Sequence, residues 1–247
     1  MIKANGVNIQ FNLDDKRLSP KLFRKDIDIE LKQKQIVLLY GPSGSGKTTI
    51  FQILSHLIEF SSGEIYWDRY KVEDLNRSNK QRYKHISMIY SVFNFIETLS
   101  VKDNILLPSL FAKERGSEIL LDELIELFYF GKESNINLAD LLKKGISNLS
   151  NGQKEIVAIS RALLMQKPKF VFADEMLRSF NKELEDQVWA KILQFLSKYN
   201  RSLFMITHKE HLGDNLHKNV SLYCGDDYDA RILTIEDQIL VEKTHRS

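Results

Sequence analysis

The chain has 247 residues, 43% hydrophobic and 28% charged, with a formal net charge of +2. That balance suits a globular protein with room for one large α/β domain and a subdomain, and so small a charge supplies no field for nucleic acid. Apolar runs of about five residues fall far short of a membrane helix, Met1–Asn5 lacks an apolar signal core, and a lone cysteine, Cys224, excludes an internal disulfide or thiolate metal cluster. A cytosolic protein is expected, with Cys224 a small packed residue rather than a nucleophile.

In chain order, Ile27, Ile29 and Leu31 alternate with charged residues and predict a half-exposed strand. Ile36–Tyr40 is an apolar run that reads as a buried strand entering a Gly/Ser-rich loop. From Thr48 to about Leu57, Ile50, Phe51, Ile53, Leu54 and Leu57 recur at helical spacing. Ser61–Asp68 predicts a turn and a strand, and Arg82–Tyr90 passes from basic residues into the strand Ile86–Tyr90. Between Val101 and Leu164 the pattern becomes helical. Leu120, Leu121, Leu124, Ile125 and Phe128 share a face opposite Glu118, Asp122, Glu123 and Glu126. Phe170–Ala173 and Ser202–Ile206 predict buried parallel strands. Arg231–Val241 reads as a hairpin turning at Asp237-Gln238. The expectation is a single domain, with residues 1–90 and 166–247 forming an α/β core and residues 91–165 a helical insert.

The loop Gly41-Pro42-Ser43-Gly44-Ser45-Gly46-Lys47-Thr48-Thr49 fits the pattern G-x-x-x-x-G-K-[ST] between a strand and a helix. Its glycines let successive N–H groups turn inward on a polyphosphate, and the following helix adds its N-terminal dipole. Lys47 offers a charge for the β/γ-phosphates and Thr48 a hydroxyl for Mg²⁺. Asp174 and Glu175 follow the strand Phe170–Ala173. Asp174 stands where a Mg²⁺ ligand is needed, and Glu175 where a carboxylate can orient an attacking water.

Leu149-Ser150-Asn151-Gly152-Gln153 precedes the helical run Ile156–Leu164, with Ser150 or Asn151 as helix cap. In this order the motifs resemble the ATP-binding cassette (ABC) ATPase family, whose signature Leu-Ser-Gly-Gly-Gln differs here only at Asn151. The resemblance spans about Phe23 to His208. It includes Thr98–Ile105, similar to the start of that family's helical subdomain, and His208, matching its switch histidine; His56, His85, His211, His217 and His245 match nothing. The resemblance implies a P-loop NTPase core with a mostly parallel sheet, an N-terminal antiparallel β-subdomain and a helical subdomain insert carrying the signature. It also implies a Mg²⁺-dependent ATPase. Two cassettes, identical or different, would sandwich ATP between Gly41–Thr49 of one and Ser150, Asn151, Gly152 and Gln153 of the other. Mg²⁺ would be held by Thr48 and Asp174, Glu175 would polarise the attacking water, and His208 would keep water and γ-phosphate in register.

Four departures stand out. Ser91 occupies the place of the family's Mg²⁺-contacting Gln and reaches a metal only through water. Asn181 replaces the Asp that closes the loop after the catalytic Glu, and Met176-Leu177 replaces Pro-Thr. Leu18 takes the place of the adenine-stacking aromatic, with Tyr40 and Phe11 poor substitutes by position. Asn151 replaces a signature Gly. Slow or partner-dependent hydrolysis is expected. The implied function is the ATP-hydrolysing subunit of a transporter, peripheral on the inner face of the membrane and powering separate permease subunits, which would dock near Phe93, Asn94, Phe95 and Ile96. Phe93–Ile105 most resembles the exporter branch of lipoprotein-releasing and antimicrobial-peptide systems. The alternative is a nucleotide-gated signalling module with weak ATPase activity. A DNA-repair ATPase of the superfamily would need a coiled-coil insert or zinc cysteines, and the sequence has neither.

Overall fold

A computed structural model describes residues 1–9, 21–74, 82–132 and 134–243, without the side chain of Tyr83. Leu18 and Phe11 lie outside the described residues. Among the described residues a four-stranded antiparallel sheet runs β2-β1-β4-β5, formed by β1 (Ile2–Asn8), β2 (Ile27–Leu31), β4 (Ser62–Trp67) and β5 (Tyr70–Lys71). The larger sheet has six strands in the order β10-β9-β3-β8-β7-β6. These are β3 (Gln35–Tyr40), β6 (Ile86–Ile89), β7 (Phe170–Asp174), β8 (Ser202–Ile206), β9 (Asp229–Glu236) and β10 (Ile239–Lys243). Every pairing from β9 to β6 is parallel, and only β10 runs antiparallel.

Period-two alternation splits the central strands between two cores. Val37, Leu39, Phe170, Phe172, Phe204 and Ile206 face the antiparallel sheet and α1 (Lys47–Leu54). Ile36, Leu38, Val171, Ala173, Leu203 and Met205 face the opposite, helical layer. Between β6, which follows the short α2 (Arg82–His85), and β7 lie α3 (Val101–Phe111), α4 (Ser117–Leu127), α5 (Leu138–Leu141) and α6 (Asn151–Leu163). Leu120, Leu121, Leu124 and Phe128 are buried, as the period of α4 requires, while Glu118, Asp122 and Glu126 are exposed. Glu123 is the exception on that polar face; it is half-buried and accepts from Lys198 and Tyr199.

Some elements differ from expectation. Helix α1 stops at Leu54 rather than near Leu57. The Ser55 hydroxyl turns back to donate to Phe51 O (2.7 Å), and His56 takes a left-handed φ of 52°. Strand β1 is an addition to the expected elements; it sits mid-sheet, and its pairing register shifts between Ala4 and Val7 at a bulge. After α7 (Lys182–Lys198) and β8, two further helices follow, α8 (Glu210–Asp214) and α9 (Leu216–Cys224), with α9 packed on α7. The hairpin between β9 and β10 turns at Asp237 (φ 47°) and Gln238 (φ 62°), both left-handed as a tight two-residue turn requires.

Candidate functional site

Parallel register brings the C-terminal ends of four strands to one edge. Leu39 of β3 pairs with Ile206 of β8, Ile206 with Asp174 of β7, and Ala173 with Ile89 of β6. The loop Gly41–Thr49, Glu175, His208 and Ser91 leave those ends, which is where open α/β sheets bind ligands.

The loop is shaped by backbone. Gly44 (φ 77°) and Gly46 (φ 101°) are left-handed, and a Cβ on Gly46 would lie 2.9 Å from the buried Phe23 ring. Phe23 is fixed in turn by Asn8, whose amide donates to Phe23 O (2.9 Å) and whose Oδ1 accepts from Phe23 N (3.2 Å). Lys47 is buried and donates to Gly41 O (2.8 Å) and Pro42 O (2.9 Å). Burial pushes its ammonium below the usual lysine range, against the opposing pull of Glu175 and Asp174. The Ser45 hydroxyl is buried in the same loop without a hydrogen-bond partner. A buried cation and an orphaned hydroxyl inside a ring of glycines fit a polyphosphate.

Across from the loop, burial raises the Asp174 carboxyl, while the Ser91 hydroxyl donates to its Oδ2 (3.0 Å) and opposes that shift. Glu175 follows with φ 54°, its N–H bonded to Ile206 O (3.0 Å) and its Oε1 3.0 Å from His208 Nε2. The Arg178 guanidinium lies 3.9 Å from Glu175 and donates to Ser91 O. Thr48 is exposed at the start of α1. No group of three or more His, Cys, Asp or Glu among the described residues could cage a metal. Thr48 and Asp174 are the oxygen-bearing side chains at this edge that could meet Mg²⁺, an ion that keeps water and phosphate oxygens in its shell.

Ser150–Gln153 form the entry to α6 and share no hydrogen bond or ion pair with Gly41–Thr49 among the described residues. Ser150 Oγ accepts from Gln153 N (3.3 Å), Gln153 Oε1 accepts from Ser150 N (3.0 Å), and Gln153 Nε2 donates to Asn135 O (2.7 Å). Gly152 lies over Phe180, and Asn151 is exposed. Asn181 caps α7, its Oδ1 accepting from Leu184 N (3.0 Å). Tyr40 is not a free aromatic: its hydroxyl donates to Lys209 O (3.0 Å) and its ring packs on Gly213. Sequence reasoning missed Glu155, a carboxylate only 1% exposed on α6. The signal was slight: an acid beside Lys154 at the head of the apolar run Ile156–Leu164.

Among known proteins, the family described as ABC transporter matches residues 24–178. The lipoprotein-releasing system ATP-binding protein LolD of Francisella tularensis is 28% identical over 214 residues, covering 82% of this chain and 86% of that protein. The glutamine transport ATP-binding protein GlnQ of Escherichia coli is 29% identical over 204 residues, 81% of each chain. Among solved structures, a dimeric post-hydrolysis state of the ATP-binding cassette MJ0796 bound to ADP and Pi aligns with a TM-score of 0.78 over all of both chains, at 23% identity. That last likeness is one of fold.

Proposed function

The chain belongs to the ABC transporter family as an ATP-binding subunit, and from that premise we propose that it hydrolyses Mg²⁺-ATP between two cassettes to drive separate membrane permease subunits. The observation that carries this reading is the convergence of Gly41–Thr49, Glu175 and His208 on one sheet edge. Gly41, Pro42, Ser43, Gly44, Ser45, Gly46, Lys47, Thr48 and Thr49 wrap the phosphates. Lys47 exchanges its two carbonyl partners for phosphate oxygens, and Ser45 gains the partner it lacks. Thr48 and Asp174 would hold Mg²⁺, with Ser91 acting behind Asp174. The metal would supply positive charge to the phosphoryl oxygens as the bond to the β-phosphate breaks.

Glu175 orients water and takes its proton as the water oxygen attacks the γ-phosphorus. His208, within hydrogen-bond reach of Glu175, keeps that water and the γ-phosphate aligned. A second cassette, identical or different, brings Ser150, Asn151, Gly152 and Gln153, with the N-terminus of α6 aimed at the γ-phosphate. Ser150 Oγ serves its cap as an acceptor, so its proton is free to donate to phosphate. Loss of the γ-phosphate removes the charge that attracts this helix, and the pair loosens.

Residues 91–165 act as a helical subdomain and 1–90 with 166–247 as the nucleotide-binding core. A groove bordered by Met88, Tyr90, Leu107, Pro108, Arg161 and Met165 lies beside Phe93–Ile96 and suits a helix from the permease. Arg161 braces that edge, donating to Phe93 O (2.5 Å) and stacking on Phe95 at 4.8 Å. No described helix is long and apolar enough to cross a membrane; the proposed contact with the membrane is the permease. Both a lipoprotein-releasing and a glutamine-transport subunit resemble the chain at nearly equal identity, which supports the subunit class, with cargo choice assigned to the permease. Hydrolysis is slow without that partner because the Ser91 hydroxyl is already committed to Asp174.

The test is Glu175→Gln, which retains the cradle and removes the base. With Mg²⁺-ATP this variant forms dimers by light scattering, and with ADP it returns to monomers. Monomers in both nucleotides would refute pairing of two identical cassettes, and monomers that also persist with the permease present would refute the two-cassette reading.

A further inference from the structure

Leu177, two residues beyond Glu175, is fully buried with a left-handed φ of 75°. A leucine stays in that region only when its surroundings over-determine it, and here both backbone polar groups are held from outside the loop. Its N–H donates to Glu155 Oε1 (2.5 Å), and its carbonyl accepts from Lys209 Nζ (2.7 Å). Glu155 also accepts from Arg178 N (3.2 Å) and Ser179 N (2.9 Å), so one buried carboxylate gathers three successive N–H groups. Such charge-assisted bonds in a dry setting are strong and stiff. On the other side, the Lys209 ammonium also pairs with Glu185 of α7, itself 2% exposed.

The origins of the two side chains give the arrangement its meaning. Glu155 sits on α6 just after Ser150–Gln153, and Lys209 immediately follows His208. We infer that Glu155 and Lys209 form a two-sided clamp on the Leu177 backbone that positions Glu175 and transmits to it any movement of the α6 entry or the His208 segment. Neither residue acts on nucleotide; each works through the loop. Resting on the reading of Glu175 as the catalytic base, the clamp links a nucleotide held by the α6 entry in the partner cassette to the base that serves this chain's own nucleotide. It is a route between the two sites that does not depend on the charge absent at Asn181.

The experiment compares Glu155→Gln, Lys209→Met and Lys209→Arg in the full chain, by ATP turnover against concentration, affinity for a fluorescent ATP analogue, and amide exchange over residues 176–180. The Gln amide offers one acceptor oxygen where three N–H groups converge. In Glu155→Gln and Lys209→Met, kcat falls by about tenfold or more, as for a displaced catalytic group, analogue affinity stays within about twofold, any cooperativity in ATP declines, and the 176–180 amides exchange faster. Lys209→Arg keeps the cation and restores most of kcat. Unchanged kcat, or affinity falling in step with kcat, overturns the clamp. Should Glu155→Gln fail to fold, Lys209→Met with Lys209→Arg decides alone. A wild type without turnover even when co-purified with its permease would refute the ATPase reading, and unchanged exchange in Lys209→Met would overturn the clamp in either case.

Discussion

The loop Gly41–Thr49 and the segment Asp174–Asn181 face each other and are held in opposite ways. The first is shaped by its own backbone, with left-handed glycines and a lysine folded onto carbonyls of the same loop. The second is held by side chains from far along the chain: Ser91 on Asp174, His208 on Glu175, Glu155 and Lys209 on Leu177. A side-chain scaffold can exchange one support for another, and this is where Ser91, Met176-Leu177 and Asn181 depart from the family pattern.

Substitutions on each side sharpen that contrast. The largest effect is expected from Lys47→Ala, which removes a charged donor from the cradle. Loss of one or two charge-assisted hydrogen bonds weakens ATP affinity by about 10- to 100-fold, measured by titration calorimetry; unchanged affinity would break the cradle reading. Next comes Ser91→Gln, whose longer side chain reaches past Asp174. Turnover without permease is expected to rise severalfold in a steady-state assay, and no rise would place the limit on hydrolysis elsewhere. Asn181→Ala removes the cap of α7 and costs about 1 kcal/mol in urea unfolding, whereas Asn181→Asp keeps the cap and leaves stability nearly unchanged.

The smallest effect on stability concerns Asp174. Burial raises its carboxyl, so the ionised form is disfavoured in the folded chain and costs stability above the ordinary aspartate pKa of 3.8. Asp174→Asn therefore raises the Tm of the nucleotide-free protein slightly at pH 7. The gain fades as pH falls from the raised folded pKa towards 3.8 and is gone below 3.8, where Asp174 is protonated in both states. Turnover is lost in the same variant, a site residue held at the expense of stability.

The same contrast governs how much could be read in advance. Ile36–Tyr40, Phe170–Ala173 and Ser202–Ile206 are buried strands because nothing else accommodates short apolar runs between breakers, and the glycine spacing of Gly41–Thr49 is a local backbone requirement. The roles of Glu155 and Lys209 depend on β7 and β8 lying side by side, which no local pattern encodes. Ser55 ended α1 through a side chain that competes with the helix, a cue visible but outweighed by the apolar period. Helices α8 and α9 carried a signal that was passed over: Leu212, Leu216, Val220 and Cys224 recur every fourth residue and are all buried. Strand β1 breaks its register between Ala4 and Val7, so no unbroken alternation marks it.

Strand β3, which delivers the chain into the cradle, is flanked by β8 on one side and β9 on the other, and Gly41 rests against Ile235 of β9. During synthesis, then, the cradle's sequence emerges early but stays unsupported until the polypeptide from Asp229 onward has left the ribosome. Contacts so distant along the chain make for slow assembly, and nucleotide affinity should be among the last properties a nascent molecule acquires.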